Sequence, residues 1–199
     1  MRGLRVNGVV GVLALQGAFA AHCEKLAALD VECIEVRTTE DLGKVTALVM
    51  PGGESSTMSH LLVTSGLFDV IDERIADGMA VFGTCAGMIL LASDIADGRD
   101  DQRSFSALDI SVRRNAYGRQ VDSFETDLAT PFGDVHGVFI RAPRIERIGK
   151  SVEVLGSHDG DPVLVRQGRV LAASFHPELN EDERLHRFFV EEIVMKEQE

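Results

Sequence analysis

Two short stretches carry residue types that could do chemistry together. In Val81-Phe82-Gly83-Thr84-Cys85-Ala86-Gly87-Met88, an apolar run from Met79 to Phe82 breaks at a glycine. A cysteine follows, then a second glycine and a further apolar run, Met88 to Leu91. Small residues on both sides let a backbone turn sharply from strand to helix and hold a nucleophile above the strand end, as in a nucleophile elbow with Cys in the Ser position. Unpaired N–H groups at the start of the following helix would stabilise negative charge on the sulfur. The same stretch also suits a buried structural cysteine, since free cysteine is among the most buried residue types.

A cysteine nucleophile needs a base. Of the six histidines, His22 and His60 fall in helical segments, His186 near the surface of the last helix, and His136 and His158 in strand or turn regions. His176 differs. It follows the apolar run Val170 to Ser174, precedes Pro177 and has Glu178 two residues on. Proline restricts the residue before it to extended conformations, in which positions i and i+2 point the same way. Glu178 can then orient the imidazole, giving nucleophile, base and orienter in Cys85, His176 and Glu178. Alone, His-Pro-Glu would read as a polar turn; with Cys85 present the triad is the better reading.

The elements that must position these groups follow from hydrophobic patterning. Val9 to Leu15, Val31 to Val36, Ala47 to Met50 and Met79 to Phe82 read as strands. Helical segments lie between them: Phe19 to Ala27, a short one near Asp41, Thr57 to Val63 and Leu67 to Ala76. This β-α alternation predicts an α/β fold, a mostly parallel, three-layer, doubly wound sheet of flavodoxin-like type. The second half carries shorter strand-like runs, Ile110 to Val112, Val121 to Thr126, Val135 to Ile140, Val152 to Gly156, Pro162 to Arg166 and Val170 to Ser174. They are expected as antiparallel additions, with Asp159-Gly160 and Gln167-Gly168 as turns. A helix from Asp182 to Met195 closes the chain. No repeat or linker interrupts it, so residues 1–199 are read as one domain.

In such sheets ligands sit outside the carboxyl ends of the strands. Glycine-marked breaks fall there at Gln16-Gly17, Gly52-Gly53 and Gly83 to Gly87. Gly52-Gly53 could cradle a phosphate, but the P-loop lysine is missing and no G-x-G-x-x-G follows the first strand. A backbone N–H there could instead serve an oxyanion.

The formal net charge of −12 in 199 residues argues against nucleic acid and anionic membrane as partners, because both need a basic face. No apolar run approaches the roughly 20 residues of a membrane span. Cys23, Cys33 and Cys85 show no pairing or C-x-x-C spacing, so a reducing cytoplasm is expected, without a disulfide or zinc site.

Gly83-Thr84-Cys85-Ala86-Gly87 with the distant His176-Pro177-Glu178 resembles the triad class of glutamine amidotransferases. Leu15-Gln16-Gly17, Pro51-Gly52-Gly53-Glu54-Ser55 and Arg114-Asn115-Ala116-Tyr117-Gly118-Arg119-Gln120 narrow the likeness to the glutaminase subunits of pyridoxal 5'-phosphate synthase. The likeness runs from about Val9 to Val194. Ser56 stands where that family usually has Thr, and Tyr117 where Phe is common; neither removes a catalytic group.

The resemblance implies hydrolysis of L-glutamine to glutamate and ammonia, with no metal or organic cofactor. It places Gly53, Glu54, Ser55, Arg114, Ile140 and Arg141 around the substrate. Either arginine would suit the α-carboxylate. The oxyanion is expected on the N–H of Ala86 plus one from Gly52 or Gly53. The implied partner is a (β/α)8-barrel synthase subunit in a large hetero-oligomer, whose docking rearranges a Gln16-Gly17 loop. Other readings stay open: an amidotransferase subunit for histidine or guanine synthesis, a different cysteine hydrolase, or a non-catalytic glutamine-sensing subunit. The polar loop Asp97 to Arg103 has no functional reading in the sequence.

Overall fold

The computed structural model describes residues 8–114 and 123–195. Strands β1 (Val10–Leu13), β2 (Cys33–Val36), β3 (Ala47–Met50) and β4 (Ala80–Thr84) alternate with helices α1 (Phe19–Ala28), α2 (Thr39–Leu42), α3 (Ser55–Thr64) and α4 (Leu67–Ala76). Every residue of β1, β3 and β4 is buried. Continuous burial is what a parallel strand covered on both faces requires, and it explains the unbroken apolar runs. The short α2 is held by a capping box, in which the Thr38 and Asp41 side chains and backbone N–H groups satisfy one another.

The remaining elements are α5 (Ala86–Leu91), β5 (Ala92–Ile95), β6 (Leu108–Arg113), β7 (Phe124–Leu128), β8 (Val135–Phe139), β9 (Arg144–Ile148), β10 (Glu153–His158), β11 (Asp161–Gln167) and β12 (Val170–Ala173). A 3-10 turn, Pro177–Leu179, leads to α6 (Arg184–Phe188), which continues as a π-helical segment, Phe189–Met195. The main sheet has the order β10-β11-β12-β4-β3-β1-β2. Strands β12, β4, β3, β1 and β2 are parallel, while β11 and β10 join antiparallel at one edge.

The second half differs in detail from the sequence expectation. β12 enters the sheet parallel to β4, whereas β5-β6-β9 and β7-β8 form two small separate sheets. β5 and β9 have no counterpart among the predicted runs. In β9 only Ile145 is buried, among arginines and a glutamate, so no alternating pattern announces a strand.

The pleat sends neighbouring side chains into opposite layers. Leu48, Met50 and Val81 pack with Met58, Leu62, Leu67 and Leu90 on one face. Ala47, Val49, Ala80 and Phe82 pack with Leu26, Phe189 and Ile193 on the other. The expectation for Cys23 and Cys33 is corrected: the structure pairs them as a disulfide between α1 and β2, with Cα atoms 5.8 Å apart. Packing of α1 against β2 lays Cys23 beside Cys33, the first residue of that strand, a contact that sequence spacing does not reveal. Cys85 is free.

Candidate active site

The elbow forms because two glycines admit backbone where side chains would collide. A Cβ on Gly83 would sit 2.6 Å from the Gly87 carbonyl carbon, and one on Gly87 would strike the Met50 carbonyl oxygen. β3, β4 and α5 are thus drawn together below the turn. Cys85 takes the strain, with φ 49° and ψ −103°, a backbone conformation that L side chains rarely adopt. Its N–H donates to the Ala173 carbonyl at 2.8 Å, tying the elbow to the end of β12.

That same strand leads to His176, the expected base. Beyond Ala173 the chain bends at Ser174 and Phe175 to reach His176, whose N–H donates to the Val138 carbonyl at 2.8 Å. Pro177 then opens the 3-10 turn that brings Glu178 back under the ring. His176 Nδ1 lies 2.8 Å from Glu178 Oε1, and the Glu178 side chain is fully buried. Burial opposes protonation of His176, but hydrogen bonds to Cys85 and Glu178 and their negative charge outweigh it. Together they push the imidazole up to about 10. With Nδ1 committed to Glu178, Nε2 remains for the Cys85 sulfur. A Cβ on Gly52 would run into the His176 ring and lie 3.3 Å from Cys85 Cβ, so Gly52 backbone closes over both.

Cys85 and His176 open onto a cavity of about 200 Å³ lined also by Gly53, Glu54, Ser55, Ile89, Arg114, Ile140 and Arg141. This is below the roughly 300–1,000 Å³ of pockets for drug-sized ligands and suits a small amino acid. Arg141, with φ 46°, is a second strained residue on its wall. Glu54 caps α3, accepting from the N–H groups of Ser56 and Thr57. Partial burial works against its charge, but those N–H groups and both hydroxyls pull the carboxyl down to about 2.

The polar loop acquires a role. Arg114 donates from Nη2 to the Asp97 carbonyl and from its backbone N–H to Asp97 Oδ1, each at 2.8 Å. Gln102 bridges Arg114 Nη1 and the Ser55 hydroxyl, at 3.2 and 3.1 Å. Arg103 N–H donates to Ser59 Oγ at 2.8 Å, and the Arg103 guanidinium stacks on Phe68, 3.8 Å from the ring centroid. Asp97 and Gln102 are therefore supports of the site that loop composition alone concealed, as is the wall residue Ile89.

Gln16 and Gly17 lie against the glycine loop. The Gln16 side-chain oxygen accepts from the Glu54 N–H at 3.3 Å, and a Cβ on Gly17 would strike the Gly52 carbonyl oxygen. Ala86 starts α5 directly beyond Cys85. Asn115 to Gln120, six of the seven residues of the Arg114 to Gln120 stretch, lie outside the described residues. His186 is fully buried beside His22, not near the surface. Among the described residues no group of histidine, cysteine and carboxylate side chains could hold a metal ion, and no helix is long and apolar enough to cross a membrane.

Comparison with known proteins gives a consistent result. A family model described as the SNO glutamine amidotransferase family matches residues 12–195. The chain is 54% identical over 190 residues to "Pyridoxal 5'-phosphate synthase subunit PdxT" of Mycobacteroides abscessus, covering 94% of this chain and 98% of the relative. It is 54% identical over 188 residues to the protein of the same name in Thermus thermophilus, with 94% and 98% covered. A solved structure described as "Crystal structure of glutamine amidotransferase" superposes with a TM-score of 0.88 at 53% identity, covering 92% of this chain and 98% of that one.

Proposed function

The chain belongs to the SNO glutamine amidotransferase family, and we propose that it is the glutaminase subunit of a pyridoxal 5'-phosphate synthase, built as a single domain and working in the cytoplasm. It hydrolyses L-glutamine and delivers the ammonia to a (β/α)8-barrel synthase subunit within a hetero-oligomer. The observation that carries this reading is the contact of His176 with Glu178, 2.8 Å, beside Cys85 in a cavity walled by Glu54, Arg114 and Arg141. The names of its relatives extend it to the synthase.

The chemistry needs side chains and backbone only. Cys85 sulfur attacks the side-chain carboxamide carbon of glutamine. The oxyanion is taken by N–H groups of Ala86 and the Gly52-Gly53 loop. The His176 imidazolium protonates the departing nitrogen, and the C–N bond breaks to release ammonia and leave a γ-glutamyl thioester. Neutral His176 then removes a proton from water, which attacks the thioester; the S–C bond breaks and glutamate leaves. Glu178 keeps the Nδ1 proton in place and stabilises the imidazolium. Arg114 is the better placed partner for the substrate carboxylate, since Asp97 and Gln102 fix its guanidinium. Glu54, ionised throughout the neutral range, suits the α-ammonium.

The test is release of glutamate and ammonia from glutamine, measured with and without the synthase subunit and with Cys85→Ala. Hydrolysis that needs Cys85 and rises with the synthase is expected. No hydrolysis in the complex would overturn the reading.

A further inference from the structure

Behind the proposed triad lies a buried polar chain that the mechanism above leaves unused. His22 on α1 and His186 on α6 are fully buried, with His22 Nδ1 2.8 Å from His186 Nε2. The other nitrogen, His22 Nε2, lies 3.2 Å from Thr84 Oγ1 and 3.4 Å from Glu178 Oε2. Among the described residues, neither Glu178 Oε2 nor His186 Nδ1 has a hydrogen-bond partner. Two charged ionisable groups lie near this chain, Lys25 and Asp182, together with His176.

Hydrogen-bond accounting selects one proton arrangement. Burial and neighbouring positive charge hold both rings neutral: His22 well below its ordinary value, His186 down to about 3. Each ring then carries one N–H, and one donates to the other. If His22 donated from Nδ1, the His186 proton would be stranded on Nδ1, a buried donor without an acceptor. His22 Nε2 would also turn a lone pair toward a carboxylate oxygen. Both are costly. If His186 donates from Nε2 instead, its bare Nδ1 is merely an unused acceptor, and His22 carries its proton on Nε2. That proton faces Thr84 Oγ1 and Glu178 Oε2.

We propose that His22 is a positioning residue for glutamine hydrolysis: its Nε2–H, hydrogen-bonded to Thr84 Oγ1, also faces the second oxygen of Glu178 at 3.4 Å and attracts it as a dipole attracts a charge, so that the first oxygen stays aligned on His176. The relay runs His186, His22, Glu178, His176, Cys85. It rests on the proposed triad, and it acts on the reaction through Glu178 alone, since neither His22 nor His186 lines the cavity.

The experiment measures steady-state glutamine hydrolysis by the complete chain with the synthase subunit present, for His22→Leu, His22→Gln and His22→Asn. Glutamine can place an amide N–H where Nε2 stands; asparagine reaches only the Nδ1 position, and it keeps the comparison intact where His22→Leu fails to fold. His22→Leu and His22→Asn are expected to lower kcat about tenfold, the lower end for a polar contact with a charged group. KM should stay unchanged, and His22→Gln should recover most of the loss. In a Glu178→Gln background the His22 substitutions should cost less than about twofold more, because the effect passes through that carboxylate. Unchanged kcat in folded His22→Asn, no rescue by His22→Gln, or full additivity with Glu178→Gln would overturn the inference. An inactive wild-type complex would overturn the glutaminase reading itself.

Discussion

Gln102 holds Arg114. The Arg114 guanidinium donates to the Gln102 side-chain oxygen at 3.2 Å, and the same amide donates to the Ser55 hydroxyl at 3.1 Å. One loop residue thereby ties Arg114 to the start of α3 in the cavity wall. Gln102→Ala should raise KM for glutamine about tenfold, the worth of one hydrogen bond to a charged group, with kcat nearly unchanged. Steady-state kinetics in the complex checks this; a fall in kcat at constant KM would remove Gln102 from substrate positioning.

Cys85 pays for its place at the cavity above β4 with a positive φ of 49°. Glycine tolerates that conformation and alanine does not. Cys85→Ala and Cys85→Gly should both abolish hydrolysis, yet Cys85→Gly should be the more stable by about 1–3 kcal/mol. Urea unfolding of the two variants measures the difference; equal midpoints would mean that the elbow stores no strain.

The raised value of His176, about 10, has two consequences with a definite sign. A folded-state value above the ordinary 6.5 means that the native protein keeps a proton the unfolded chain gives up. The resulting stability is present below pH 6.5 and fades as pH rises toward about 10. In the proposed reaction the imidazolium is the acid for the departing ammonia, so kcat/KM should fall on the alkaline side near the same value. Glu178→Gln removes both a charge and a hydrogen bond, and the alkaline limb should move to lower pH. A limb that stays in place would show that another group sets it.

Gln16 accepts from the Glu54 N–H, and Gly17 abuts Gly52, so the ends of β1 and β3 are linked beside the proposed oxyanion loop. The isolated chain should be a poor glutaminase that the synthase activates. Misplacement of one oxyanion donor costs roughly a hundred- to a thousandfold in rate. Gln16→Ala should weaken the response to the partner. Full activity without the synthase would sink this gating.

The residues proposed to touch the reaction stand out in the sequence because each lies where a periodic pattern breaks. Gly83 breaks the apolar run of β4 one residue before the strand ends, Gly52 follows β3, and Pro177 restricts the backbone of His176. The parallel core was readable for the same reason: continuous apolar runs such as Val10–Leu13 have one explanation in a chain of this size. What escaped depends on contacts between distant segments. β9 draws its place from pairing with β6, not from its own charged composition. Gln102 sits in a loop whose sequence resembles any polar surface turn. His186 falls on a helix that continues as a π-helical segment, and a regular 3.6-residue period assigns its facing wrongly. The proximity of Cys23 to Cys33 exists only once α1 has folded back along β2.

The three strands that carry the elbow, the glycine loop and His176 are neighbours in the sheet: β3 pairs with β4 and β4 with β12, in register at Met50 with Gly83 and Ala173 with Thr84. They are flanked on both sides by further strands. Local opening begins at edges and termini and reaches a central ladder only near the global unfolding free energy. The amides of Phe82, Gly83 and Leu171 should therefore be among the slowest in the molecule to exchange with deuterium. The edge pair β10–β11 can breathe on a much faster clock without disturbing the reacting groups. Heat should inactivate the enzyme in the same transition that melts its sheet.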